Sequence, residues 1–196
     1  QTGFRWLLVS LTAASVLLWL RVVGWKPSCS GIFILLVLTL GSLPAAQGIK
    51  LQQLTLLVAA FLAVAVVLAA CNRLLLAGMF MALATIKPQL ALLPTAWFLL
   101  WTFADWHRRQ KFVWGFSSCL LALVLGGELL LPGWIPRFYD AVAAYRHYTG
   151  AQSLLDVLLT PWAGGVLGAM ISLAFARVAW RMRRIPANDP GFAFMA

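Results

Sequence analysis

Leu74-Leu-Leu-Ala-Gly-Met-Phe-Met-Ala-Leu-Ala-Thr-Ile-Lys-Pro-Gln-Leu-Ala-Leu-Leu-Pro94 is the stretch that decides the architecture of this chain. Apolar residues run from 74 to 103, and Lys87-Pro88-Gln89 interrupts them. As one helix the stretch would be about 46 Å long, well beyond a bilayer core of ~30 Å. Broken at Lys87-Pro88, each arm has about 13–16 residues and reaches only about 20–24 Å, short of a full crossing. Proline removes a backbone donor and disfavours helix at the residue before it. Two short helices meeting at Lys87-Pro88 are therefore predicted, with one long bent helix as the alternative. Broken backbone at membrane depth persists only where protein or a wet cavity surrounds it.

Moving outward, the same apolar character covers the chain. Of 196 residues, 63% are hydrophobic and 10% charged, against about 25% charged in ordinary soluble domains. The mean hydropathy is +0.91. Too few polar side chains remain to cover a water-soluble surface, so the surplus apolar surface needs lipid. Further apolar runs cover residues 4–20, 31–46, 51–70, 112–131 and 158–180. The expected fold is all-α: a polytopic transmembrane helix bundle of five full spans plus the short pair. It forms one transmembrane domain over 1–196, and both ends read as cut from a longer chain. Residues 132–156 form the one longer polar stretch.

The net charge of +10 would suggest nucleic acid in a soluble protein. Here the basic residues cluster between apolar runs, the pattern that orients membrane proteins, and no nucleic-acid partner is expected. If Arg73 is inside, so are Arg21, Lys26, Arg108, Arg109, Lys111, Arg177, Arg181, Arg183 and Arg184. Arg5, Lys50, Lys87, Arg137 and Arg146 fall outside. That excess of inside charge has the sign the positive-inside rule requires. It also demands that residues 74–103 go out and come back, which favours the short pair over the bent helix.

Lys87 has no acidic residue within seventeen positions on either side. A lysine in apolar surroundings is costly and commonly marks function. Two readings stand: an ammonium held in a cavity to bind an anion such as phosphate, or a lysine snorkelling to the headgroups. Gln89 beside it either adds amide hydrogen bonds or satisfies the helix end freed by Pro88. Lys50-Leu-Gln-Gln-Leu-Thr55 gathers an ammonium, two amides and a hydroxyl at a helix start, which favours anions or serves as a cap and anchor. Tyr145-Arg-His-Tyr-Thr149, with Arg146, His147 and Tyr148, reads either as an aromatic belt or as a lid over a lipid headgroup. Cys29, Cys71 and Cys119 lack metal-ligand spacing and read as free thiols. No phosphate loop, dinucleotide fingerprint or paired metal-binding histidine is present, so no cofactor is expected. The ten tryptophans read as interfacial anchors.

On the 74–94 stretch, the chain resembles the membrane glycosyltransferases of family 87, in the GT-C superfamily. Members commonly read small-apolar-Gly, then an alanine-rich segment, then Lys-Pro-Gln. Lys50-Leu-Gln-Gln-Leu-Thr55 is similar to the family's basic-x-Gly-Gln-x-Asn, keeping Gln53 but with Gln52 for the glycine and Thr55 for the asparagine. The resemblance implies a hexosyltransferase that moves a hexose, typically mannose, from a polyprenyl-phosphate donor on the extracytoplasmic face. The acceptor would be an envelope glycolipid or glycan, and the location a bacterial plasma membrane crossed several times. It implies donor-phosphate binding by Lys87, Lys50 and Arg146, and substrate contacts from Gln53, Gln89, His147 and Tyr148. It also implies a catalytic Asp in the first outer loop. No carboxylate precedes Asp105, so that base is expected upstream of Gln1. The alternative from another class is a non-catalytic transporter or lipid-binding membrane protein, since broken helices also mark transporters.

Overall fold

The structure is a computed structural model that describes residues 2–149 and 160–195, with side chains for 2–144, 160 and 162–195. Every regular element among the described residues is helical. In chain order these are α1 (Thr2–Val23), α2 (Cys29–Gly41), α3 (Leu43–Lys50), α4 (Leu54–Ala70), α5 (Leu74–Ala84), α6 (Pro88–Phe103), α7 (Trp106–Leu130), α8 (Trp134–Thr149), α9 (Pro161–Met182) and α10 (Pro190–Met195). They form two compact units: Gln1–Leu120 with Met182–Ala196, and Leu121–Arg181.

Three described helices, α1, α7 and α9, are long and apolar enough to cross a membrane. The bent pair α2–α3 makes a fourth if it is one broken span. The five full spans expected from the apolar runs are corrected accordingly, and the reasons are local. The run at 31–46 breaks at Ser42 with a 60° bend. The Ser42 hydroxyl donates to Thr39 O at 2.7 Å and receives the Ala45 amide at 3.4 Å, so it ends one helix and caps the next. Pro44, which has no amide hydrogen, fits only the first turn of a new helix. The run at 51–70 loses its first residues to a turn, and α4 keeps 17 residues.

Helix ends follow from their chemistry. At the end of α1, Gly24 takes φ +73°, Trp25 N–H reaches Leu20 O at 3.1 Å, and Gly24 N–H reaches Arg21 O at 3.3 Å. This is a Schellman closure, which satisfies carbonyls the helix would leave bare. The same closure ends α4, with Asn72 at φ +57° and Arg73 N–H on Leu68 O at 2.8 Å. It also ends α3, with Gln52 at φ +54° and Gln53 N–H on Gly48 O at 2.8 Å. Inside α1, the hydroxyls of Thr12 and Ser15 return to Leu8 O and Leu11 O. Polar groups silenced in this way tolerate an apolar setting.

The first unit is built on α1, α4 and α5, which pack along small residues. Ala60, Ala63, Ala65 and Ala69 of α4 and Ala77, Ala82 and Ala84 of α5 are all buried. Helices in lipid gain little from hydrophobic exclusion, so close backbone approach through small residues matters more. α5 and α7 approach closely at two glycines. A Cβ on Gly78 would run into the carbonyl oxygen of Phe112, and one on Gly115 into that of Leu75.

Next to this crossing, Trp97, Phe98 and Trp101 of α6 meet Phe112 of α7 and Phe192 of α10. Centroid distances run from 4.9 Å (Trp101–Phe192) to 5.8 Å (Trp97–Phe192). Trp97 and Trp101 are therefore core residues, which corrects their reading as interfacial anchors. In the second unit, the polar stretch expected as an outer loop contains α8. Glu128 Oε1 receives the Gly133 amide at 2.8 Å, and Gly133 turns the chain at φ +72°. Pro136 sits in the first turn of α8, where proline is tolerated.

Candidate functional site

The break predicted at Lys87-Pro88 is present. α5 ends at Ala84, and α6 starts at Pro88. Thr85, Ile86 and Lys87 tighten the end of α5 by donating to Ala82 O, Leu83 O and Ala84 O at 3.1–3.3 Å. Lys87, as the residue before proline, is pushed out of helix to φ −122°, ψ 83°, and becomes the N-cap of α6.

The two arms go out and return. One cavity of about 330 Å³ is lined by Asn72 and Leu74 at the start of the excursion and by Trp101, Asp105 and Arg108 at its end. The two ends of residues 74–103 are thus side by side, as the charge sorting required. A single bent helix would have separated them.

At the tip, Lys87 Nζ donates to Thr55 Oγ1 at 2.5 Å, across 32 positions of sequence. Thr55 is the second residue of α4. One turn further along, buried Val58 packs with Ala84 and Ala91, which flank Lys87 on α5 and α6, and Phe61 and Leu62 close the cluster. The two segments singled out in the sequence, 50–55 and 87–89, therefore meet. No hydrogen bond or ion pair among the described residues joins Lys50, Gln53 or Gln89 to the Lys87–Thr55 pair. Lys50 is exposed at the last turn of α3. Gln53 is the N-cap residue of α4, but its side chain makes no cap bond. Gln89 is exposed in the first turn of α6. The side chains of Arg146, His147 and Tyr148 lie outside the described residues.

The electrostatics of the tip favour an anion. The N-termini of α4 and α6 both open here, and the first amides of a helix have no helical acceptor. Among the described residues, the amides of Leu54, Thr55, Leu56 and Gln89 reach no carbonyl. The carbonyls closing α3 and α5 here, by contrast, already receive turn amides from Leu51, Gln52, Gln53, Thr85, Ile86 and Lys87. Among the described residues, unused amides and a half-buried ammonium thus face few free acceptors, an arrangement suited to phosphate or carboxylate.

Arg109 is the residue that reading by segments missed. It is 9% exposed at the start of α7, at the end of the layer opposite Lys87. Its Nη1 donates to Trp101 O at 2.7 Å and Arg183 O at 3.2 Å, and its Nη2 to Ile185 O at 3.3 Å. The guanidinium lies over the Trp101 ring, 3.9 Å from its centroid, and Trp101 Nε1 donates to Ile185 O at 2.8 Å. Its signal was periodicity: Arg109 and Phe112 share one helical face, with Gly115 and the partly buried Phe116 following on it, and that face is turned inward. Arg108 next to it is exposed and pairs with Asp105 at 4.0 Å.

Among the described residues no cluster of His, Cys, Asp or Glu suits a metal ion, and the three cysteines are free thiols. Comparison with known protein families, characterised proteins and solved structures finds no match to the chain. The resemblance to the family 87 glycosyltransferases stands on the quoted residues alone.

Proposed function

We propose that this membrane chain is the donor-binding part of a polyprenyl-phosphate-dependent hexosyltransferase of the GT-C type. It acts on the extracytoplasmic face of a bacterial plasma membrane that it crosses several times. The hexose, mannose by the resemblance, passes to an envelope glycolipid or glycan. The observation that supports this is the Lys87–Thr55 hydrogen bond. It joins the two segments that carry the resemblance, at a tip rich in unused donors.

In this reading the Lys87 ammonium holds the donor phosphate and stabilises the charge that builds on it as the sugar–phosphate bond breaks. Lys50, 37 positions earlier and on the same outer end by the charge sorting, adds long-range attraction. A carboxylate must take the acceptor's hydroxyl proton. Asp105 lines the cavity at the opposite end, Asp189 receives the Gly191 amide, and Glu128 receives the Gly133 amide. The base is assigned to none of these three; the resemblance implies an Asp in a first outer loop.

The test is transfer by the full-length protein from a polyprenyl-phosphate hexose. Lys87→Gln is expected to cut transfer strongly while leaving membrane insertion unchanged. Unchanged transfer would remove Lys87 from the mechanism. Movement of the lipid across the bilayer with no new glycosidic bond would instead establish the transporter reading.

A further inference from the structure

We propose that Thr55 is the positioning residue for Lys87. Its hydroxyl oxygen receives one ammonium hydrogen, which aims the other two, together with the hydroxyl's own hydrogen, at the bound phosphate. This rests on the reading of Lys87 as the phosphate-holding residue.

Three observations carry it. First, Thr55 is set apart from other hydroxyls in the helices. Thr12, Ser15, Thr85, Ser118 and Ser172 each donate to a carbonyl three or four residues back in their own segment. Thr55 instead offers its oxygen to a side chain 32 positions away. Second, the contact is anchored. Val58 lies one turn along on the same face of α4, buried against Ala84 and Ala91 on either side of Lys87. That packing fixes the distance from Thr55 to the break. A β-branched residue in a helix also has few side-chain rotamers, so the hydroxyl is held more firmly than the lysine stem. Third, the donor count suits the task. An ammonium has three donors and no acceptor, and a hydroxyl that accepts one of them keeps its own hydrogen to give. Lys87 is only half-buried, so its remaining hydrogens are not walled off.

A lysine stem that must be caught from many rotamers binds an anion more weakly than one already aimed. Thr55 therefore acts through Lys87, by preorganisation.

The experiment uses the full-length protein in lipid nanodiscs, with an undecaprenyl phosphate titration as one arm and inorganic phosphate as the other. Thr55→Val keeps the shape and removes the hydroxyl, and Thr55→Ser keeps the hydroxyl. Loss of one hydrogen bond to a charged group predicts binding weakened about tenfold in Thr55→Val, and Thr55→Ser within about twofold of the parent. Acylation of Lys87 by a water-soluble amine reagent, read by peptide mass spectrometry without ligand, is expected to rise in Thr55→Val and not in Thr55→Ser. Binding of undecaprenyl phosphate but not inorganic phosphate assigns the site to a lipid-linked donor. Binding of both with the same variant pattern assigns it to phosphate as such. Parent-like binding and acylation in Thr55→Val, with binding lost in Lys87→Gln, overturns the role of Thr55 and leaves that of Lys87. Parent-like binding in Lys87→Gln, or no binding by the parent, overturns both. Equal losses in Thr55→Val and Thr55→Ser show that the methyl packing matters and the hydroxyl does not, which also overturns the proposal.

Discussion

Lys87 and Arg109 are both cations set into apolar helices, at opposite ends of the α4–α6 layer, and they do opposite things with their hydrogens. Arg109 gives its hydrogens to three backbone carbonyls and lays its plane on Trp101. Lys87 gives one to a neutral hydroxyl and stays half-buried. A cation whose donors end on carbonyls of its own fold is a fastener. One that meets no counter-charge among the described residues, as Lys87 does, is the cation we propose binds an anion. The charge alone does not separate the two; the partners do.

The largest effect expected concerns the scaffold both ends share. Gly115→Leu puts a side chain against the Leu75 carbonyl at the α5–α7 crossing, where no rotamer relieves the overlap. It is expected to yield no folded protein, judged by gel filtration in mild detergent. A folded Gly115→Leu protein would mean that the ends are held independently.

Next, Arg109→Ala leaves the carbonyls of Trp101, Arg183 and Ile185 short of a charged donor. Loss of stability by about 2–3 kcal/mol is expected, the upper range for losing hydrogen bonds to a charged group and leaving buried carbonyls short of a donor. Unfolding in a denaturing-detergent titration measures it. A loss below about 1 kcal/mol, the level of an exposed ion pair, would show that Arg109 is no fastener.

Lys87→Gln is expected to show the mirror image. Removing an electrostatic stabiliser of the departing phosphate should cost about 10²–10³ in turnover. Its stability should change by no more than about 1 kcal/mol, since only one half-exposed hydrogen bond is lost. A stability loss as large as that of Arg109→Ala would erase the contrast between the two ends.

The smallest effect sits beside the Lys87 site. Gln52 holds φ +54°, a conformation that disfavours side chains. Gln52→Gly is expected to change stability by no more than about 1 kcal/mol in the same titration, because relief of that backbone cost is offset by the added freedom of the unfolded chain and the loss of the side chain's own interaction. A larger loss would show that the Gln52 side chain contributes more to the turn than its backbone costs.

Much of this was legible beforehand. The break at Lys87-Pro88 followed from proline and a lone charge, both local signals. The return of residues 74–103 followed from counting basic residues, because membrane sidedness acts on each cluster separately. Other features were hidden for physical reasons. The bend at Ser42 was masked because apolar character persists across it. α8 was masked because an exposed, mixed-polarity helix has the composition of a loop. The tryptophans of α6 read as interfacial because tryptophan serves equally well in belts and in cores.

What the sequence by itself determined is a chain of apolar helices for a membrane, broken at Lys87-Pro88, with its cations sorted to two ends. Hydropathy, proline and charge are properties of neighbouring residues, so short windows contain them. Only the tertiary structure decided which cation is fastened and which is left available. It set Arg109 among the carbonyls of residues 101, 183 and 185, and brought Lys87 to Thr55. Those partners lie 8 to 76 positions away, and they were chosen by how α4, α5, α6 and α7 pack through their alanines and glycines, which no window of sequence records.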